Sequence, residues 1–338
     1  MTKLLFIPVF FFILLSPIIN AQYRNMVFEG AGIRGIAYGG VIQVFEENNL
    51  MDDIKNVGGT SAGAITALTV SLGYKSSEIN ELIYTTDFNK FNDGQYFFIG
   101  GIHRVKEDYG WYKGDAFQHW LEEIIKKKTN NADITFKELH DKGYKDLYIT
   151  ATCLNKQKLF VFSYKNYPAM KVKDAVRISM SIPLYFGGVL IDNNGKVYEK
   201  QNEKQSLDLV MDGGIIGNFP IFIFDSVIKN SPKGKDRIIN SKTIGIRIDS
   251  DEQIKQDSTS AELQPLPINN LSDYFMALYV FVLENLNRNQ LVEDDWKRTI
   301  SVSSLDIGPR IKKLSNDQKN RLINSGVQSA KSFLAHTR

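Results

Sequence analysis

Gly59-Thr60-Ser61-Ala62-Gly63 decides how this chain is read: a serine held between two glycines where an apolar strand gives way to a helix. Upstream, Ile54 and Val57 lead into Gly58-Gly59, and downstream Ala62 to Leu72 reads as a buried helix that stops at Gly73. Strand, sharp turn and helix form the setting of a G-x-S-x-G nucleophile elbow. Such an elbow forces the serine into a strained backbone conformation, so the residues two before and two after it must be small. Gly59 and Gly63 meet that need. A glycine-rich turn with an incidental serine fits the same five residues, so the rest of the chain has to decide.

A second glycine turn lies just upstream. Asn25 to Glu29 reads as the first strand and runs straight into Gly30-Ala31-Gly32-Ile33-Arg34-Gly35, followed by an amphipathic helix from Ile36 to about Asn48. A turn of this kind leaves backbone N–H groups facing outward at the positive end of a helix, where negative charge is favoured. Two anions qualify: a phosphate, or the oxyanion of an acyl-transfer intermediate. Gly30, Gly32 and Gly35 fit the dinucleotide fingerprint G-x-G-x-x-G, which also wants an acid about twenty positions on, at the end of the second strand. Asp52 and Asp53 have the count but precede strand Ile54 to Val57, at its far end. Its near end carries Gly59 to Gly63. Two glycine turns at the carboxyl ends of neighbouring parallel strands would set the amides of the first beside the Ser61 hydroxyl, as an oxyanion hole requires.

The 338 residues, 43% of them hydrophobic, suffice for one large α/β domain or two smaller ones, and a net charge of +3 gives no field that would favour nucleic acid. The lone cysteine, Cys153, lies in a strand-like run and reads as a buried apolar residue. Met1 to Ala21 stands apart. Lys3, an unbroken apolar run from Leu4 to Leu15, Pro17 and a short polar end have the layout of a secretory signal peptide, with cleavage expected after Ala21. The expected mature protein is periplasmic or secreted, with membrane association left open.

The remaining segments alternate between strand and helix. Asp87 to His103 is an aromatic-rich stretch (Phe88, Phe91, Tyr96, Phe97, Phe98) that reads as core or as a lipid-facing cap. Leu147 to Leu154 and Lys158 to Tyr164 form a hairpin, Asp174 to Ser181 a short helix, and Val189 to Tyr198 a second hairpin turned at Asn193-Asn194-Gly195. Leu207 to Met211 is an apolar strand that delivers Asp212-Gly213-Gly214, and Pro220 to Lys229 reads as helix. Ser250 to Asn270 is polar and reads as an exposed flexible loop. Leu271 to Leu286 is a helix apolar on nearly all sides, which favours burial. Strands Thr243 to Asp249 and Thr299 to Ser304 and a helix from Asn316 to about Leu334 complete the order.

A serine hydroxyl needs a neighbouring base. Of His103, His119, His140 and His336, only the last follows Asp212, and it lies near the terminus, so the serine-acid-histidine order fits badly. Asp212 remains as a direct base. A turn is the plainer role for Asp-Gly-Gly, but a carboxylate at the end of a buried strand is where open α/β sheets keep functional groups, and partial burial would raise its proton affinity.

Three separated motifs together resemble the patatin-like phospholipases: Gly30 to Gly35 is similar to the family's oxyanion turn, Gly59 to Gly63 to its serine elbow, and Asp212-Gly213-Gly214 to its aspartate motif. Arg177 to Phe186 resembles a further family segment, and Asn218-Phe219-Pro220 extends the aspartate motif. The similarity runs from about Met26 to Asp249, with residues 250 to 338 unassigned. It implies a three-layer α/β/α fold with a mainly parallel central sheet, Ser61 as nucleophile and Asp212 as base. It also implies hydrolysis of lipid or phospholipid acyl esters without metal or cofactor, and oxyanion amides from Gly32 and its immediate successors. Ala31 departs from the glycine usual in the family. Two other classes stay open: a nucleotide-binding protein using the Gly30 turn, and a lipid-binding protein without catalysis.

Overall fold

The computed structural model describes residues 23–94, 109–201, 206–227, 237–257, 263, 265–288 and 290–336. The expected signal peptide, the aromatic residues Tyr96, Phe97 and Phe98, and His103 lie outside them. The strands in chain order are β1 (Asn25–Phe28), β2 (Asn56–Gly59), β3 (Gly110–Tyr112), β4 (Asp146–Cys153), β5 (Lys158–Phe162), β6 (Leu184–Phe186) and β7 (Val189–Ile191). β8 (Val197–Tyr198), β9 (Asp208–Asp212), β10 (Ser226–Val227), β11 (Arg237–Ile238), β12 (Thr243–Asp249) and β13 (Thr299–Ser303) follow.

One nine-stranded sheet organises the molecule in the order β13-β12-β1-β2-β4-β9-β7-β8, with β5 also on β4. From β13 to β4 every pair is parallel, and from β4 onward the pairs are antiparallel. The parallel strands are buried runs such as Asn-Met-Val-Phe in β1, as expected of strands covered on both faces. With its helices the sheet forms the three-layer α/β/α arrangement. Residues beyond 250 belong to the same sheet, since β13 extends it beside β12. The Asn316–His336 helix packs on helix α1 (Tyr38–Glu47) through a very close crossing. A Cβ on Gly40 would lie 1.9 Å from Ile323 O, and one on Gly326 2.0 Å from Ala37 O.

The register around β4 positions the site. β5 pairs with β4 without interruption from Ile149 to Cys153, sharing Ile149 with β2 and residues 151–153 with β9. A strand residue has only two edges, so β2 and β9 both lie on the edge opposite β5, end to end. β2 stops at Gly59 beside Ile149, and β9, running the other way, stops at Asp212 beside Ala151. The two strand ends therefore meet head to head, with Thr150 between them.

Several expectations need correction. Gly32–Ala37 is a 3-10 helix, and α1 begins only at Tyr38. After Pro220 the chain makes a single 3-10 turn, Ile221–Phe224, and then a strand pair, β10 with β11, instead of a helix. Within the expected loop from Ser250, Asp251–Asp257 is helical, opened by Ser250 Oγ accepting from Gln253 N–H at 3.1 Å. The Leu271–Arg288 helix forms but is not buried all round: Leu271, Tyr274, Leu278, Phe281 and Leu286 are exposed. Phe91, in the stretch read as core or cap, is core, packed edge-on against Phe117 with ring centroids 5.2 Å apart.

Candidate active site

Ser61 sits between β2 and helix α2 (Ala62–Ser71) with φ 53° and ψ −122°, a backbone conformation that favours glycine. The flanking glycines make this possible. A Cβ on Gly59 would lie 2.4 Å from Gly63 O, and one on Gly63 2.4 Å from Phe28 O. Ser61 N–H donates to Ser179 Oγ at 2.9 Å, and Thr60 Oγ1 donates to Gly217 O at 2.7 Å, so both neighbouring segments pin the elbow. Ser61 is 5% exposed, and its hydroxyl donates to Met180 Sδ at 3.4 Å.

Asp212 is fully buried at the facing strand end. Its Oδ1 accepts from Gly214 N–H at 2.6 Å, while Oδ2 has no hydrogen-bond partner. Burial pushes its carboxyl up from the usual 3.8 to about 7, against smaller lowering contributions from Gly214 N–H and the Ser61 hydroxyl. The hydroxyl thus lies close enough to act on the carboxylate, yet in a fully formed hydrogen bond it is turned to Met180. Asp212 N–H donates to Ser181 O at 3.0 Å, so Ser179, Met180 and Ser181 together hold both residues.

The Gly30–Gly35 turn abuts this pair: a Cβ on Gly30 would lie 3.3 Å from Ser61 Cβ. Not all of its amides are open. Gly30 N–H donates to Asn218 O and Ile33 N–H to Pro309 O, both at 3.0 Å, and Arg34 N–H donates to Ala31 O at 3.3 Å. Among the described residues the N–H groups of Ala31 and Gly32, and of Ala62 and Gly63 at the start of α2, have no partner. The open amides therefore sit earlier in the turn than expected, and the α2 end adds its own. Gly32 has φ +56°, with Pro309 O where a Cβ would be.

Asn218 joins the turns. Its Nδ2 donates to Gly30 O at 3.0 Å and its N–H to Asn287 Oδ1, while Asn287 Nδ2 donates to Gly214 O at 3.0 Å. Beneath lies Glu29, fully buried with Oε2 accepting from Ile248 N–H at 3.0 Å; burial pushes its carboxyl up to about 8. Asn287 and Pro309 carry no recognisable motif. Ser179 and Ser181 lie in Arg177 to Phe186, the further segment whose resemblance to the family was legible in the sequence.

Ser61 lies where two cavities meet. One, of about 940 Å³, is bordered by the Leu271–Arg288 helix and residues 304–311. The other, of about 90 Å³, runs under α1 and α2. No histidine lines either among the described residues. His119 and His336 bond carbonyls of their own helices, and His140 bonds Asp146 and stacks on Tyr164.

The family described as patatin-like phospholipase matches residues 26–225, the span containing both glycine turns and Asp212. The uncharacterised protein R571 of Acanthamoeba polyphaga mimivirus is 28% identical over 314 residues, which is 92% of this chain and 94% of that one. A probable lipid hydrolase, 463L of Invertebrate iridescent virus 6, is 28% identical over 210 residues, 60% of this chain and 63% of its own. The crystal structure of VipD from Legionella pneumophila superposes with a TM-score of 0.56 at 15% identity, covering 93% of this chain and 67% of that one, a likeness of fold alone.

Proposed function

The chain belongs to the patatin-like phospholipase family, and from that premise we propose that it is a lipid acyl hydrolase in which Ser61 is the nucleophile and Asp212 its base. One observation carries the reading: a serine held in a glycine-like conformation faces a dry carboxyl with one open oxygen and a pKa pushed up to about 7. A base with that proton affinity is suited to neutral pH.

In the proposed reaction the Ser61 hydroxyl turns from Met180 and gives its proton to Asp212 Oδ2 as Oγ attacks the acyl carbonyl. The carbonyl oxygen becomes an oxyanion accepting from the open amides of the Gly30 turn and the α2 end. Collapse breaks the ester bond, and Asp212 returns the proton to the departing alcohol. Water then gives a proton to Asp212 and attacks the acyl-enzyme; collapse releases the fatty acid and returns the proton to Ser61. We also propose export, with removal of residues 1 to 21, on the composition of that segment.

The test is fatty-acid release from a panel of glycerolipids and phospholipids by wild type, Ser61→Ala and Asp212→Ala, with and without a chelator. Wild-type turnover that survives the chelator and drops by about 10³-fold or more in both folded variants is expected. Variants that keep turnover overturn the assignment. Vesicle binding without any release by the wild type instead favours a lipid-binding protein.

A further inference from the structure

One side chain from beyond the span that matches the family ties two parts of the site together. Asn287, in the last turn of the Leu271–Arg288 helix, is 8% exposed, and both its N–H groups and its oxygen are bonded. Oδ1 accepts from Asn218 N–H, while Nδ2 donates to Gly214 O at 3.0 Å and to Leu283 O, one turn back in the same helix, at 2.5 Å. A donor faces the oxygen and two carbonyls face the nitrogen, so one orientation of the carboxamide satisfies all three and the flipped one satisfies none.

Both contacts outside the helix end on residues that aim a reacting group. Gly214 N–H donates to Asp212 Oδ1 at 2.6 Å, so the bond to Gly214 O holds the residue that holds the carboxyl. Space is tight there. A Cβ on Gly214 would lie 2.9 Å from Asp212 Oδ1 and 3.0 Å from Leu283 Cδ2, so the carboxyl and the helix both abut this residue. Asn218 in turn grips the Gly30 turn: Gly30 N–H donates to Asn218 O, and Asn218 Nδ2 donates to Gly30 O, both at 3.0 Å. The Gly30 carbonyl and the open Ala31 N–H belong to one planar trans peptide, in which they point opposite ways, so fixing the first aims the second.

We propose that Asn287 is a positioning residue for the hydrolysis, aligning the Asp212 carboxyl and the Ala31 amide through a single carboxamide. The proposal rests on the acyl-hydrolase reading and extends its machinery past residues 26–225. Asn287 lines neither the wide cavity nor the narrow one that meet at Ser61, so its loss should act on the chemical steps and not on binding. Acylation and deacylation use the same base and the same amides, so both should slow together and leave KM in place.

The experiment measures kcat and KM for a soluble p-nitrophenyl ester, with rates expressed per site labelled to completion by a fluorophosphonate, so that unfolded molecules do not count. Asn287→Ala should lower kcat per labelled site by about 10- to 100-fold, at most the lower end of what losing one oxyanion donor outright costs, with KM within about twofold of wild type. Asn287→Ser, which keeps one hydroxyl in place of the carboxamide, should show a smaller loss of the same kind, and it supplies the test if the alanine variant is not recovered folded. Gln290→Ala is the control. Gln290 Nε2 donates to Ile216 O at 2.6 Å and so fastens the same helix to the same loop without touching Gly214 or Asn218; its kcat should stay within about twofold of wild type. Unchanged kcat per site in the Asn287 variants, a loss that appears in KM instead, or an equal loss in Gln290→Ala overturns the positioning role while leaving the hydrolase reading intact. A wild type that neither turns over the ester nor takes the label removes the hydrolase reading, and the role of Asn287 with it.

Discussion

Replacing Asp212 with asparagine removes a charge from one of the driest places in the protein, and the effect on stability should depend on pH. The folded carboxyl is pushed up from 3.8 to about 7 by burial. Between those values the folded state keeps a proton that the unfolded chain has lost, so stability falls as pH rises through this window and stays reduced above it. At about 1.4 kcal/mol per unit of pKa the cost is about 1.5 kcal/mol at pH 5 and about 4 kcal/mol at pH 8. Asparagine keeps an oxygen for Gly214 N–H and does not titrate. Asp212→Asn should therefore be more stable than wild type, by a margin that grows by about 2.5 to 3 kcal/mol from pH 5 to pH 8. Denaturant unfolding of both proteins at pH 5, 6.5 and 8 reads this margin, and the Glu29 carboxyl, present in both, cancels in the difference. The same proton should govern catalysis: wild-type kcat/KM should rise through about pH 7 and level off. A margin that stays flat or shrinks with pH refutes the raised carboxyl and the base role built on it.

Ser61→Gly relieves a backbone conformation costing about 1–3 kcal/mol against a glycine entropy cost of about 1 kcal/mol. It should unfold at the same or higher denaturant concentration while losing all turnover; a clear loss of stability contradicts the strain. Ser179→Ala strips the acceptor from a buried N–H, which costs about 1–3 kcal/mol, and should lower kcat more than it raises KM, whereas unchanged kcat denies Ser179 a positioning role. Intact mass of the protein recovered from an exporting host should correspond to a chain beginning at Gln22, and retention of residues 1 to 21 counts against export.

Both glycine turns were legible because their cause is local: a buried strand, small residues and a helix follow one another within a few positions. Asp212 was legible as a residue, but for a different reason from the one that places it. Its strand is antiparallel to β4, so the rule about carboxyl ends of parallel strands does not reach it; what brings it to Ser61 is the head-to-head meeting of β2 and β9 along one edge of β4. That register is a long-range property. Asn287 and Pro309 were invisible for the same reason, since each meets the site from far along the chain. The Leu271–Arg288 helix shows the limit of periodicity. An apolar face can border a cavity as well as a core, and Tyr274, Leu278 and Phe281 line the wide cavity.

The most direct measurement is the site of covalent capture by a fluorophosphonate, located by mass spectrometry after digestion. A single adduct on the peptide carrying Ser61, absent in Ser61→Ala and formed more slowly in Asp212→Asn, is the result expected if the hydroxyl is activated by the facing carboxylate. An active protein that carries its adduct elsewhere, or that labels at an unchanged rate without the carboxylate, would contradict it.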